Sequence, residues 1–237
     1  MVAGPLQPQC HSPRPPPRPV RRGARIQQQR TACNHALWVI TADIAATIVC
    51  TDDQDGRLTH CPELVALTGF MGAGKTTVGR SLANLLRWSF FDLDYEIELR
   101  QKLLVREIFH LRGESGFREI ETDTLRWVLQ QASGPTVIAL GGGTFVQSTN
   151  AELLRSRGAR VVFLETEIEG LFQRCQAANQ HLPPNPRPLA ATPEAFRLLY
   201  AQRLPFYRTA DLTVSATGKS VEELAQEIAL SLHLSHR

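Results

Sequence analysis

Residues 69–77 read Gly-Phe-Met-Gly-Ala-Gly-Lys-Thr-Thr, and no other stretch constrains the chain so tightly. They match the pattern Gly-x-x-x-x-Gly-Lys-Ser/Thr and lie between an apolar run, Leu64 to Thr68, and an amphipathic segment, Thr76 to Leu86. Those flanks distinguish a phosphate loop from a chance glycine-rich turn. Glycines spaced in this way let the backbone curl until successive N–H groups face one point, where the following helix adds the positive end of its dipole. The lysine then reaches the terminal phosphates of a nucleoside triphosphate, and the hydroxyl after it reaches Mg²⁺. The predicted nucleotide-binding set is Gly72, Ala73, Gly74, Lys75, Thr76 and Thr77, with Thr76 also a metal ligand. ATP or GTP binding follows from the loop, but the phosphoryl acceptor does not.

Beyond residue 63 the pattern is regular. Short β-rich runs at Leu64 to Thr68, Ser89 to Asp92, Thr136 to Leu140, Arg160 to Glu165 and Asp211 to Val214 alternate with helical patterns. The helices are expected at Thr76 to Leu86, Phe117 to Gln131, Glu167 to Ala177, Pro193 to Leu204 and Val221 to Leu232. Strands separated by crossover helices predict an α/β domain, a parallel sheet with helices on both faces. A length of 237 residues, 43% of them hydrophobic, suits one such domain with an appendage.

The appendage is residues 1–60, and the domain is residues 61–237. Residues 1–34 are rich in Pro, Arg and Gln, offer little to a core, and are expected to be a disordered leader. The apolar run from 36 to 50 is too short to span a bilayer and carries Asp43, so no membrane partner is expected. The first sixty residues hold seven Arg against four Asp, whereas the rest hold nineteen basic and nineteen acidic side chains. The domain is thus neutral, which argues against a nucleic-acid partner. Cys10, Cys33, Cys50, Cys61 and Cys175 form no paired spacing, as in a chain kept reduced in the cytoplasm.

Four further segments carry candidate chemistry. Asp92 and Asp94, in Phe-Asp-Leu-Asp, are read as neighbours i and i+2 at the end of a strand, both directed at the site above the sheet. The competing reading is a helix N-cap and a solvated charge. Arg118 and Glu121 share a helix face, and on spacing alone they are an ordinary surface pair. Gly141, Gly142 and Gly143 follow a buried strand, where three glycines in a row imply close approach of a ligand or a helix. The segment 177–192 is long for a connection and holds Arg187 among four prolines, which suits a mobile lid that neutralises phosphate charge. Arg197, Arg203 and Arg208 follow, and spacing does not separate them from solvated arginines.

Taken in order, GFMGAGKTT, FDLD, GESGFREIE, ALGGG, RPLA and RLPFYRTADLTV resemble the shikimate kinase family from about Glu63 to Leu232. The resemblance implies a P-loop three-layer sandwich with a five-stranded parallel sheet in the order 2-3-1-4-5. It also implies transfer of the γ-phosphoryl group of ATP to the 3-hydroxyl of shikimate. Carried over by residue, Lys75, Asp94 and Arg187 are catalytic, and Arg187 closes onto the ATP phosphates. Asp94, Arg118 and Arg203 hold shikimate with the loop Gly141, Gly142 and Gly143, while Phe117 and Glu121 shape the pocket. Mg²⁺ falls to Thr76 and, through water, to Asp92. A cytoplasmic monomer acting on ATP and shikimate is expected. The alternatives are a catalytically silent binding protein of the same fold and a kinase of another hydroxy acid such as gluconate. The leader and the proline-rich lid depart from the family pattern.

Overall fold

The structure, a computed structural model, describes residues 36–39, 47–50, 59–60, 63–179 and 192–234. Residues 1–35, Arg187 and most of the expected lid lie outside the described residues. The chain divides into two units, Met1–His60 and Cys61–Arg237.

In the first unit three short strands, β1 (Ala36–Val39), β2 (Thr47–Cys50) and β3 (Thr59–His60), form an antiparallel sheet in that order. The register pairs Ala36 with Cys50 and Val39 with Thr47. The sequence reading places no strand here. The two ends of the apolar run, Ala-Leu-Trp-Val and Thr-Ile-Val-Cys, are dominated by β-branched and aromatic residues that favour a pleated ladder.

In the second unit β4 (Leu64–Thr68), β5 (Ser89–Asp92), β6 (Thr136–Ala139), β7 (Arg160–Glu165) and β8 (Leu212–Ser215) form a parallel sheet, ordered β5-β6-β4-β7-β8. Counted within the domain, this is the expected order 2-3-1-4-5. A central strand covered on both faces reads as a near-continuous apolar run. β4 satisfies this: Leu64 and Ala66 enter one core while Val65 and Leu67 enter the other. Helices α1 (Lys75–Leu86), α6 (Pro193–Tyr207) and α7 (Val221–Ser231) close the second of these cores, which also takes Leu171 from α5 (Ile168–Asn179). Helices α2 (Leu93–Gln101), α3 (Val105–Gln131) and α4 (Ser148–Ser156) close the first. No helix among the described residues is long and apolar enough to cross a membrane.

Most boundaries fall within a residue or two of expectation, and the larger differences concern four helices. The sequence reading omits α2, because Tyr95 and Leu99 lie on its exposed side and blur the apolar stripe. It omits α4, a nine-residue helix that buries only Asn150, Ala151 and Leu154. The third helix starts at Val105, well before Phe117, and breaks at Gly113 with φ 67° and ψ −174°. α6 passes Pro205 and ends at Tyr207 instead of Leu204. A proline disfavours helical backbone in the residue before it, but burial of Arg203 and Tyr207 holds the last turn in place.

Candidate active site

The site is assembled where β4, β5 and β6 end. Gly72 and Gly74 adopt φ of 80° and 85°, a region that a side chain makes costly, and Gly74 is the N-cap of α1. The helix has no acidic residue in its first turn, so its positive end faces the loop without internal compensation. Lys75 donates from Nζ to the Phe70 carbonyl at 2.9 Å, which folds the amine back along the loop. Gly72, Ala73, Gly74, Lys75, Thr76 and Thr77 thus lie together on the turn and first helical residues.

Asp92 and Asp94 require a correction. The strand ends at Asp92, which caps α2 by accepting the Tyr95 N–H at 3.2 Å, and Asp94 already belongs to the first turn of that helix. The two carboxylates are therefore not strand neighbours on one face. Asp92 is thus the helix N-cap of the competing reading, and it has a second partner: Thr76 Oγ1 donates to Asp92 Oδ2 at 2.5 Å. A hydroxyl and a carboxylate in contact at a phosphate loop are hard oxygen donors that fit Mg²⁺.

The glycine loop after β6 admits side chains from three directions. A Cβ at Gly141 would lie 2.8 Å from Glu121 Oε1, 2.9 Å from Asp94 Oδ1 and 2.9 Å from Thr144 Oγ1. One at Gly143 would lie 2.5 Å from the Arg118 guanidinium. The Gly142 carbonyl accepts from Arg203 Nη1 at 3.2 Å and from the Tyr207 hydroxyl. Asp94, Arg118, Glu121 and Arg203, drawn from three helices, thus meet only around residues that lack side chains.

Arg118 and Glu121 are not the ordinary surface pair that spacing alone suggests. The Glu121 side chain is 1% exposed and the Arg118 side chain 18%, and they meet at 2.9 Å. Thr144 Oγ1 and Gln147 Nε2 each donate to Glu121 at 2.7 Å, so this buried carboxylate is well supplied with donors. Burial works against the Arg118 charge, but attraction to Glu121, and then to Glu114, raises its pKa overall. Phe117 is buried and stacks on Phe109 with centroids 4.3 Å apart, forming an apolar wall beside Arg118.

The three later arginines now separate. Arg197 and Arg208 are exposed and face Glu169 and Glu165 at 4.0 and 3.7 Å. Arg203 is 7% exposed and lies 5.8 Å above the Phe70 ring of the phosphate loop.

A family model described as shikimate kinase matches residues 71–233. The chain belongs to the shikimate kinase family. It is 42% identical over 168 residues to the shikimate kinase of Geobacter sulfurreducens, covering 70% of this chain and 88% of that one. With the shikimate kinase of Moorella thermoacetica it shares 39% over 173 residues, covering 72% and 95%. Among solved structures, shikimate kinase from Acinetobacter baumannii in complex with shikimate superposes with a TM-score of 0.65 at 37% identity, covering 73% of this chain and 94% of that one.

Four residues that bond to these loops or to Glu121 escape the sequence reading. Thr144 and Gln147 follow the glycine loop and have no motif of their own. Arg174, exposed on α5, donates to the Gly72 carbonyl at 3.4 Å from 102 positions away. Tyr207 lies beyond the proline taken to end its helix.

Proposed function

We infer that this protein transfers the γ-phosphoryl group of ATP to the 3-hydroxyl of shikimate, yielding shikimate 3-phosphate and ADP on the route to chorismate and the aromatic amino acids. The observation that carries this reading is the convergence of Arg118 and Arg203 on the loop Gly141–Gly143, beside Asp94 and next to a phosphate loop. An acceptor with one carboxylate and several hydroxyls needs such a set: fork-shaped cations for the carboxylate and an anionic oxygen for the hydroxyls.

In this reading Arg118 and Arg203 grip the carboxylate, the Gly142 N–H adds a donor, and Phe117 and Glu121 shape the pocket wall. Asp94 accepts the hydrogen bond of the attacking hydroxyl and orients it toward the nucleotide, serving as base when the proton departs. Lys75 and the amides of Gly72 to Thr77 hold the transferring phosphoryl group, and Arg187 adds charge from the lid. Mg²⁺ would be held by Thr76 and, through water, by Asp92, and when bound it neutralises charge on the phosphate oxygens. The enzyme is proposed to act as a cytoplasmic monomer.

ADP release measured with shikimate, gluconate and quinate offered separately tests the reading. Turnover with shikimate alone is expected. Equal turnover with gluconate would replace the acceptor, and none with any of them would favour a silent binding protein.

A further inference from the structure

The Gly142 carbonyl has a donor for each of its two lone pairs. Arg203 and Tyr207 both donate to it, and both come from α6 at positions i and i+4, which share one helix face. Tyr207 is fully buried, and its ring stacks on Phe163 of β7 with centroids 5.2 Å apart and planes at 26°. A phenylalanine would fill that space equally well. The hydroxyl, carried into the interior, ends on a backbone oxygen and not in the core.

A trans peptide is planar, so its carbonyl and the next N–H point in opposite directions. Fixing the Gly142 carbonyl toward α6 therefore fixes the Gly143 N–H away from α6. Glycine on both sides leaves this peptide otherwise free to rotate, since no Cβ restricts φ or ψ. The next residue lies close to the Arg118 guanidinium, 2.5 Å from where a Gly143 Cβ would stand.

We propose that Tyr207 is a positioning residue for acceptor binding: its hydroxyl, acting with Arg203, sets the orientation of the Gly142–Gly143 peptide between the two arginines. This rests on the reading that Arg118 and Arg203 hold the acceptor carboxylate. Tyr207 itself touches neither substrate. It acts through the loop and through the arginine one turn before it.

The test compares Tyr207→Phe with Arg203→Lys in the full chain, by steady-state kinetics and by titration of shikimate without nucleotide. Loss of one buried hydrogen bond predicts a rise in shikimate KM and Kd of roughly 5- to 20-fold for Tyr207→Phe, with ATP KM within about twofold of the parent. The Gly143 amide resonance should shift in Tyr207→Phe before any ligand is added. A purely structural role would lower the melting temperature and leave both KM values unchanged or raise them together, and either result overturns the proposal. If Arg203→Lys weakens shikimate binding but Tyr207→Phe does not, the positioning role fails alone. If neither variant affects shikimate, the acceptor site has been misassigned.

Discussion

Lys75 bears its charge where phosphate oxygens would gather and contributes little to the core. Lys75→Ala is expected to lower kcat by about 10²-fold or more while the melting temperature stays within a few degrees. Activity within a few-fold of the parent would remove Lys75 from the chemistry. Arg118→Ala has a different signature, because it also strips Glu121 of a donor. Acceptor binding should weaken far more than ATP binding, and equal losses on separate titration would count against a carboxylate role. Burial pushes the Tyr207 hydroxyl up to about 12, with Arg203 pulling the other way. An unfolded tyrosine ionises near pH 10, so the folded state holds this proton more tightly. That stabilisation is complete below about pH 10 and is lost as pH rises through about 12, an effect of order 2 kcal/mol. Urea unfolding at pH 9 and pH 12 should show a larger loss in the parent than in Tyr207→Phe, where the raised Tyr200 hydroxyl still contributes one.

At the level of elements, the glycine loop is the joint of the site. It follows β6, which lies between β5 and β4, so it sits between the capped start of α2 and the phosphate loop. Gly143→Ala would put a methyl group into the Arg118 guanidinium, the far end of a flexible side chain, which can move. The expected result is a raised shikimate KM with a small loss of stability, about 1 kcal/mol. At Gly141 the same methyl group would meet Glu121, Asp94 and Thr144 together. Two of these are tied into the buried network, so that variant should lose stability as well. If thermal melts rank the two the other way, the loop's tolerance has been misjudged.

For the whole molecule, the two units differ in what they bring to the site. Every described residue of the phosphate loop, the glycine loop and the arginine pair lies in Cys61–Arg237, and the family match runs from 71 to 233. That unit is neutral overall, so its cations act by being placed, with Arg203 buried and Arg118 largely so. A chain beginning at Cys61 is expected to phosphorylate shikimate within about twofold of the full chain and to melt within a few degrees of it. A much lower melting temperature or aggregation would show that residues 1–60 cover apolar surface on the domain.

Local chemistry was enough to reveal the phosphate loop, the parallel sheet and the glycine triplet. Each is written in consecutive residues: Leu64 to Leu67 apolar throughout with Thr68 at the end of the run, Gly-x-x-x-x-Gly-Lys-Thr directly after it, and three glycines after Leu140. The order of the strands came from the family resemblance, since periodicity says nothing about which strand lies beside which. Asp94 reads as a strand residue but lies in α2, because a strand ending in a cap and a strand continuing two residues look alike in sequence. Tertiary packing alone decided that Arg203 is buried while Arg197 and Arg208 are solvated, and that Glu121 has donors from residues 23 and 26 positions away. It also carried α6 past Pro205 to Tyr207. Propensity at a proline is a local cost, and it gives way where burial of the following turn outweighs it.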